Sequence, residues 1–174
     1  MKLISCTIEN FGKLNNVTYD FSGECNTICE DNGWGKSTLA SFIRVMFYGF
    51  KNESKKKLVD KERNRLMPWQ KGVYGGEIVF ETGGVVYSLR RTFGKKQVDD
   101  EFLLVRKDTN VECDDFSCDI GEELFKIDAQ SFERTVFIGQ SDCVTATTDS
   151  INAKIGNLAD NTDDINNFET AVGR

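Results

Sequence analysis

The run Glu30-Asp31-Asn32-Gly33-Trp34-Gly35-Lys36-Ser37-Thr38 concentrates residue types suited to holding phosphate. Its glycines permit positive φ angles and the close approach of a bulky anion. Successive backbone N–H groups can then turn into one concavity, and a helix beginning at Lys36 adds its positive N-terminal end. Lys36 has the reach for β- and γ-phosphates, and the Ser37 hydroxyl is a ligand of the kind Mg²⁺ takes in such loops. Asn32, Gly33, Trp34, Gly35, Lys36, Ser37 and Thr38 are therefore the candidate nucleotide contacts, with ATP and Mg²⁺ as expected cofactors. The P-loop (Walker A) pattern G-x-x-x-x-G-K-[ST] has Gly where this chain has Glu30. A carboxylate facing the phosphates would repel them; one facing solvent would be harmless.

Such a loop must join a strand to a helix. Cys25-Asn26-Thr27-Ile28-Cys29 predicts a short strand before it. Leu39, Phe42, Ile43, Met46 and Phe47 recur at i, i+3, i+4, i+7 and i+8, the apolar stripe of a helix over 36–49. Two strands come earlier. Residues 2–10 alternate apolar and polar, Phe11-Gly12-Lys13 turns the chain, and Val17, Tyr19 and Phe21 share one face of an antiparallel partner.

After the helix the composition breaks. Residues 51–71 hold eight Lys/Arg against three acids and close on Met67-Pro68-Trp69, which reads as a long exposed loop. Strands resume at 76–82 and 84–93 around a Gly83-Gly84 hairpin signal, with another at 101–107. Residues 121–135 suggest a helical turn or two, and Val136-Phe137-Ile138 a short buried strand entering Gly139-Gln140. Ile151, Ile155 and Leu158 suggest a helix in the acidic end. The expected fold is α/β: a mixed sheet with antiparallel hairpins beside a P-loop strand.

Composition narrows the chemistry. The chain has 174 residues, about one domain, and 39% hydrophobic residues, enough for a core. It has no His, which excludes His-based triads, two-His zinc sites and an imidazole base. Cys6, Cys25, Cys29, Cys113, Cys118 and Cys143 contain no CxxC pair and read as reduced thiols. The net charge of −6 divides into 18 Lys/Arg against 14 Asp/Glu over residues 1–110 and 4 against 14 over 111–174. That balance argues against nucleic-acid coating over the whole surface and leaves a local basic patch at 51–71. No apolar run approaches the ~20 residues of a membrane span. Met1-Lys2-Leu3-Ile4-Ser5 has no signal-peptide character, so the expectation is a cytoplasmic protein without membrane contact.

Ile8-Glu9-Asn10-Phe11-Gly12, followed by Asn26-x-Ile28-x-x-x-Asn32-Gly33-x-Gly35-Lys36-Ser37-Thr38, resembles the N-terminus of SMC/SbcC-type ABC ATPases. The likeness is closest to YhaN-like ATPases with AAA-type heads. It extends through Pro68-Trp69, Tyr74-Gly75-Gly76, Leu89-Arg90-Arg91-Thr92-Phe93 and Phe132-Glu133-Arg134-Thr135-Val136-Phe137-Ile138-Gly139-Gln140, covering roughly residues 1–145. The resemblance implies an N-terminal lobe at 1–149 and a helical tail at 150–174 that begins a coiled-coil arm. It implies a Q-loop role for Gln140, touching Mg²⁺ or the attacking water, and an α-phosphate contact for Thr38. Lys36 and Gln140 are then the catalytic candidates, and Ser37 and Gln140 the metal ligands. Arg90 or Arg91 reads as an exposed strand charge or as a phosphate- or DNA-side arginine.

The family's Ser-Gly-Gly-type signature, Walker B strand and switch His are absent from this sequence. The resemblance therefore implies that hydrolysis needs a C-terminal lobe and a second head joined by ATP, in the service of DNA repair or chromosome maintenance, with DNA as a further partner. Alone, the chain is expected to be inactive. Two other readings differ in class. A small P-loop kinase would open directly on its P-loop strand and carry an Arg-rich lid, and a phosphotransfer assay would expose it. A non-enzymatic DNA- or protein-binding module would use Lys55-Lys56-Lys57, Lys61, Arg63 and Arg65, and its salt-dependent DNA binding would vanish on neutralising them.

Overall fold

The computed structural model describes residues 1–23, 25–51, 53 and 61–138. Gln140, the basic core Lys55-Lys56-Lys57 and the tail at 150–174 lie outside the described residues. Two compact units divide the chain, one spanning Met1–Ile120 and the other beginning at Gly121.

The first unit is built on a six-stranded sheet. Strands β1 (Lys2–Phe11), β2 (Leu14–Asp20), β3 (Gly75–Thr82), β4 (Val85–Thr92), β5 (Glu101–Arg106) and β6 (Val111–Glu112) stand in the order β2-β1-β3-β4-β5-β6. Every pairing is antiparallel. The alternation read in residues 2–10 is the burial pattern of β1, with Cys6 and Ile8 on the inner face. The β3–β4 hairpin turns at Gly83-Gly84, both with positive φ, as a two-residue turn matching strand twist demands.

Helix α1 (Lys36–Tyr48) covers the inner face. Its stripe buries Leu39, Phe42, Val45, Met46 and Phe47, while Ile43 is only half-buried. Opposite lie Ile78, Phe80 and Leu89, all fully buried. Gly76 lets the helix approach, since a Cβ there would meet Thr7 O at 2.2 Å and the Phe42 ring at 3.0 Å. At one end of the helix an aromatic cluster gathers Phe11, Phe42, Phe50, Tyr74 and Phe93, with Phe11 5.1 Å from Phe42 and Phe50 4.8 Å from Phe93.

Four expectations need correction. Residues 25–29 form no strand, and every described pairing is antiparallel, so no parallel P-loop strand joins this sheet among the described residues. The backbone there has no neighbouring strand to supply ladder bonds, and local β-pattern alone does not make a strand. The stretch at 51–71 is not wholly exposed. It contains α2 (Glu62–Arg65), with Glu62, Arg63 and Leu66 buried. Arg91 is not an exposed charge either: it is buried over the Phe102 ring and donates to Cys118 O at 2.5 Å. Arg90 is the exposed member and pairs with Glu9.

The fourth correction follows α3 (Ile120–Phe125), which starts at the last residue of the first unit and leads to α4 (Ala129–Thr135) of the second. Asp128 caps α4 by accepting from Ser131 N at 2.7 Å, and Phe125 packs on Phe132 at 4.9 Å. Val136-Phe137-Ile138 is not a buried strand but the turn and irregular backbone that follow this helix. Val136 and Phe137 both donate their N–H groups to Phe132 O, and Val136 and Ile138 are exposed.

Candidate nucleotide-binding site

The loop preceding α1 has the shape its glycines predict. Gly33 and Gly35 take φ of 84° and 127°. Gly35 is closely fitted as well, since a Cβ there would lie 2.9 Å from Leu14 Cδ2. Trp34 N donates to Asp31 O at 3.2 Å and closes the turn. The Trp34 ring packs edge-on against Tyr19 at 5.9 Å, so the side chain anchors the loop to β2. The Tyr19 hydroxyl titrates above its ordinary range because it is buried and because Glu30 and Cys6 lie nearby. Glu30 itself is exposed.

The start of α1 is an open donor set. The first intrahelical bond runs from Leu39 N to Gly35 O at 2.9 Å, so the N–H groups of Lys36, Ser37 and Thr38 precede the ladder. No side chain caps them, and the first turn carries no acidic residue. The helix therefore presents its positive end uncompensated. Lys36 arches back over the loop, with Nζ donating to Glu30 O at 2.5 Å and to Asp31 O at 3.0 Å. Those two carbonyls fix the ammonium over the loop that leads into α1. Asn32, Gly33, Lys36 and Ser37 are exposed, while Trp34, Gly35 and Thr38 are half-buried. These residues suit a polyphosphate: free donors, a cation, a hydroxyl at Ser37 for a hard metal, and room for close approach.

Beside the helix start lies an open groove of about 680 Å³. The β1–β2 turn, Gly12 and Lys13, forms one wall; Ser37, Thr38 and Ser41 form another. The third is the segment after α2, which ends at Trp69 and Gln70. That wall is pinned to the turn, since Gly12 N donates to Leu66 O at 2.7 Å.

The pinning rests on buried charges that sequence reading missed. Arg63 grips Asp100 with two bonds of 2.7 and 2.8 Å, Glu53 with one of 3.1 Å, and the carbonyl of Gly94 with another of 3.1 Å. Its guanidinium also lies 4.5 Å over the Phe50 ring. Burial works against the Arg63 charge, but Asp100 and Glu53 outweigh it and hold the group above its ordinary range. Glu62 pairs with Arg44 of α1 and accepts from Lys51 N at 2.8 Å. Tyr74 completes the set by donating its hydroxyl to Arg63 O at 3.1 Å. No local pattern marks these partners, because Arg63 and Asp100 lie far apart in sequence.

The thiols divide by exposure. Cys6 is buried in β1, which pushes its thiol up to about 12, whereas Cys25 and Cys29 stand exposed before the loop. No helix among the described residues is long and apolar enough to cross a membrane.

Residues 5–172 match the AAA domain family. The chain is also 35% identical over 82 residues to the uncharacterized protein YhaN of Bacillus subtilis (strain 168). That match covers 47% of this chain and 8% of YhaN, so the chain spans a small part of its relative. Family membership implies nucleotide binding. The free donors at the head of α1, the lysine above them and these matches lead to one conclusion: the chain belongs to the AAA domain family of ATPases, with its likeness on the SMC/YhaN-like side of that family.

Proposed function

We propose that this chain is the N-terminal ATP-binding lobe of an SMC/SbcC/YhaN-like ATPase acting in DNA repair or chromosome maintenance. Turnover requires a C-terminal lobe from the same or a partner chain. The observation that carries this reading is the uncapped, acid-free start of α1 with Lys36 suspended beside it. In this reading Lys36 exchanges its carbonyl partners for the β- and γ-phosphates, and the backbone N–H groups of residues 32–38 surround them. Ser37 and Gln140 would hold Mg²⁺, which when bound would offset the charge of the phosphates. Gln140 also senses the attacking water.

The rest follows from what a working head needs. Residues 1–149 form the lobe, and 150–174 begin a coiled-coil arm. The exposed, strandless run at 25–29 is completed by a strand from the C-terminal lobe, which also brings the Walker B carboxylates. A second head closes over the nucleotide, and DNA engages the assembled pair through the basic residues at 51–71 other than Arg63, which is buried in its clamp.

Calorimetry with ATP and Mg²⁺ tests the binding half. The wild-type chain is expected to bind, and Lys36→Ala to bind at least about tenfold more weakly. Glu30→Gly tightens binding if the carboxylate opposes the phosphates. Adding a C-terminal lobe is expected to raise ATP turnover from a negligible level. Turnover by the chain alone at the rate of the joined lobes would overturn the half-head assignment.

A further inference from the structure

Trp69 is 98% exposed, the largest apolar side chain given up to water among the described residues. A single exposed apolar residue is ordinary on a protein surface, so its position has to carry the inference. Trp69 stands on the rim of the groove that begins at the phosphate cradle, with Ser37, Thr38 and Ser41 on the facing wall. The groove's volume of about 680 Å³ is that of a small-molecule site. Among the described residues its lining carries the cations Lys13 and Arg65 and no carboxylate, which suits an anionic ligand better than an apolar protein segment.

The segment that presents Trp69 is held on both sides. Upstream, Leu66 is tied to Gly12 and α2 is clamped through Arg63. Downstream, Tyr74 is tied to the carbonyl of Arg63. Pro68 fixes one φ angle immediately before the indole and restrains the residue ahead of it. A backbone so held brings the indole to the rim of the groove before any ligand arrives, which confines the ordering cost of stacking to the side chain.

Resting on the nucleotide reading above, we infer that Trp69 is the stacking platform for the base of the bound nucleoside triphosphate. The groove holds the sugar and base once the phosphates occupy the head of α1. Trp69 makes the site favour purine over pyrimidine nucleotides, because the bicyclic ring covers more of the indole.

The test uses the full chain and four Mg²⁺-loaded probes: ATP, GTP, CTP and inorganic tripolyphosphate. Wild type is expected to bind the purine nucleotides several-fold tighter than CTP. Trp69→Ala is expected to lose about tenfold in ATP and GTP affinity and to bind tripolyphosphate as wild type does. Trp69→Phe, which keeps an aromatic face, is expected to recover most of the loss. If Trp69→Ala leaves ATP affinity unchanged, or weakens tripolyphosphate equally, the stacking role is overturned while the phosphate site stands. If wild type binds neither tripolyphosphate nor ATP, the nucleotide reading falls, and this inference with it.

Discussion

The two loops that flank α1 are built on opposite principles. The segment after the helix, from Lys61 to Tyr74, is fixed by buried ion pairs and a shared aromatic cluster that reach into α1 and the β4–β5 connection. The segment before it, 25–35, has no strand partner among the described residues and is held by a turn, one ring contact, a bond from Ser22 N to Asn26 and the bonds of Lys36 to the segment's carbonyls. One loop is organised by the protein's interior, and the other leads to a helix start that no side chain caps. A wall that positions a ligand gains from rigidity, whereas a cradle that must exchange partners cannot have them all satisfied internally.

Removing the centre of the clamp should have the largest effect. Arg63→Ala leaves Asp100 and Glu53 without their cation in a largely buried place, and we expect a loss of about 3–5 kcal/mol in urea-induced unfolding. An unchanged midpoint would show that the clamp does not hold the loop. The corresponding change before the helix should be nearly silent in stability. Lys36→Ala is expected to shift unfolding by less than about 0.5 kcal/mol while losing at least about tenfold in ATP affinity, the reverse of the Arg63 outcome.

The outer face of the sheet sits between these extremes. Glu77 accepts from Ser88 Oγ at 2.5 Å and Lys107 Nζ at 3.1 Å. Burial raises its pKa, but those donors and Arg90 outweigh burial and hold it below the ordinary value of 4.5. A depressed carboxylate contributes stability that is complete above that ordinary value and lost as pH falls through the lowered one. Glu77→Gln should therefore cost under about 1 kcal/mol near neutral pH, and its deficit should shrink in more acidic buffer. A deficit constant across that range would sink the assignment. The smallest perturbation is thiol labelling. Iodoacetamide should modify Cys25 and Cys29 in the folded chain well before Cys6, whose burial keeps it protonated.

What could be read from the sequence was local. The Gly35-Lys36-Ser37-Thr38 run marked the start of α1, the stripe from Leu39 to Phe47 placed the helix on the sheet, and Gly83-Gly84 located a hairpin. These features depend on residues a few positions apart. The clamp was illegible because Arg44 meets Glu62, and Arg63 meets Asp100, only after the fold has formed. Its basic surroundings read as a solvated loop. The run at 25–29 misled in the opposite way, having strand-like residues without a strand beside them. Val136 and Ile138 looked buried because they are apolar, yet a helix end leaves them in solvent. In the sequence Trp69 closes a basic stretch, and only the groove beside Ser37 and Thr38 gives it a different neighbour.

The strand order carries a consequence for how the cradle is assembled. Each neighbouring pair in the sheet is consecutive in sequence except β1 with β3, where Ile8 stands opposite Gly76. The excursion between β2 and β3 contains the loop before α1, α1 itself and the groove wall, so zipping β3 onto β1 is the step that closes the largest entropic loop in this unit. A molecule bound at the head of α1 would thus act as a latch on that seam. Its stabilisation should be felt as slower amide exchange in β1 and β3, well beyond the atoms it touches.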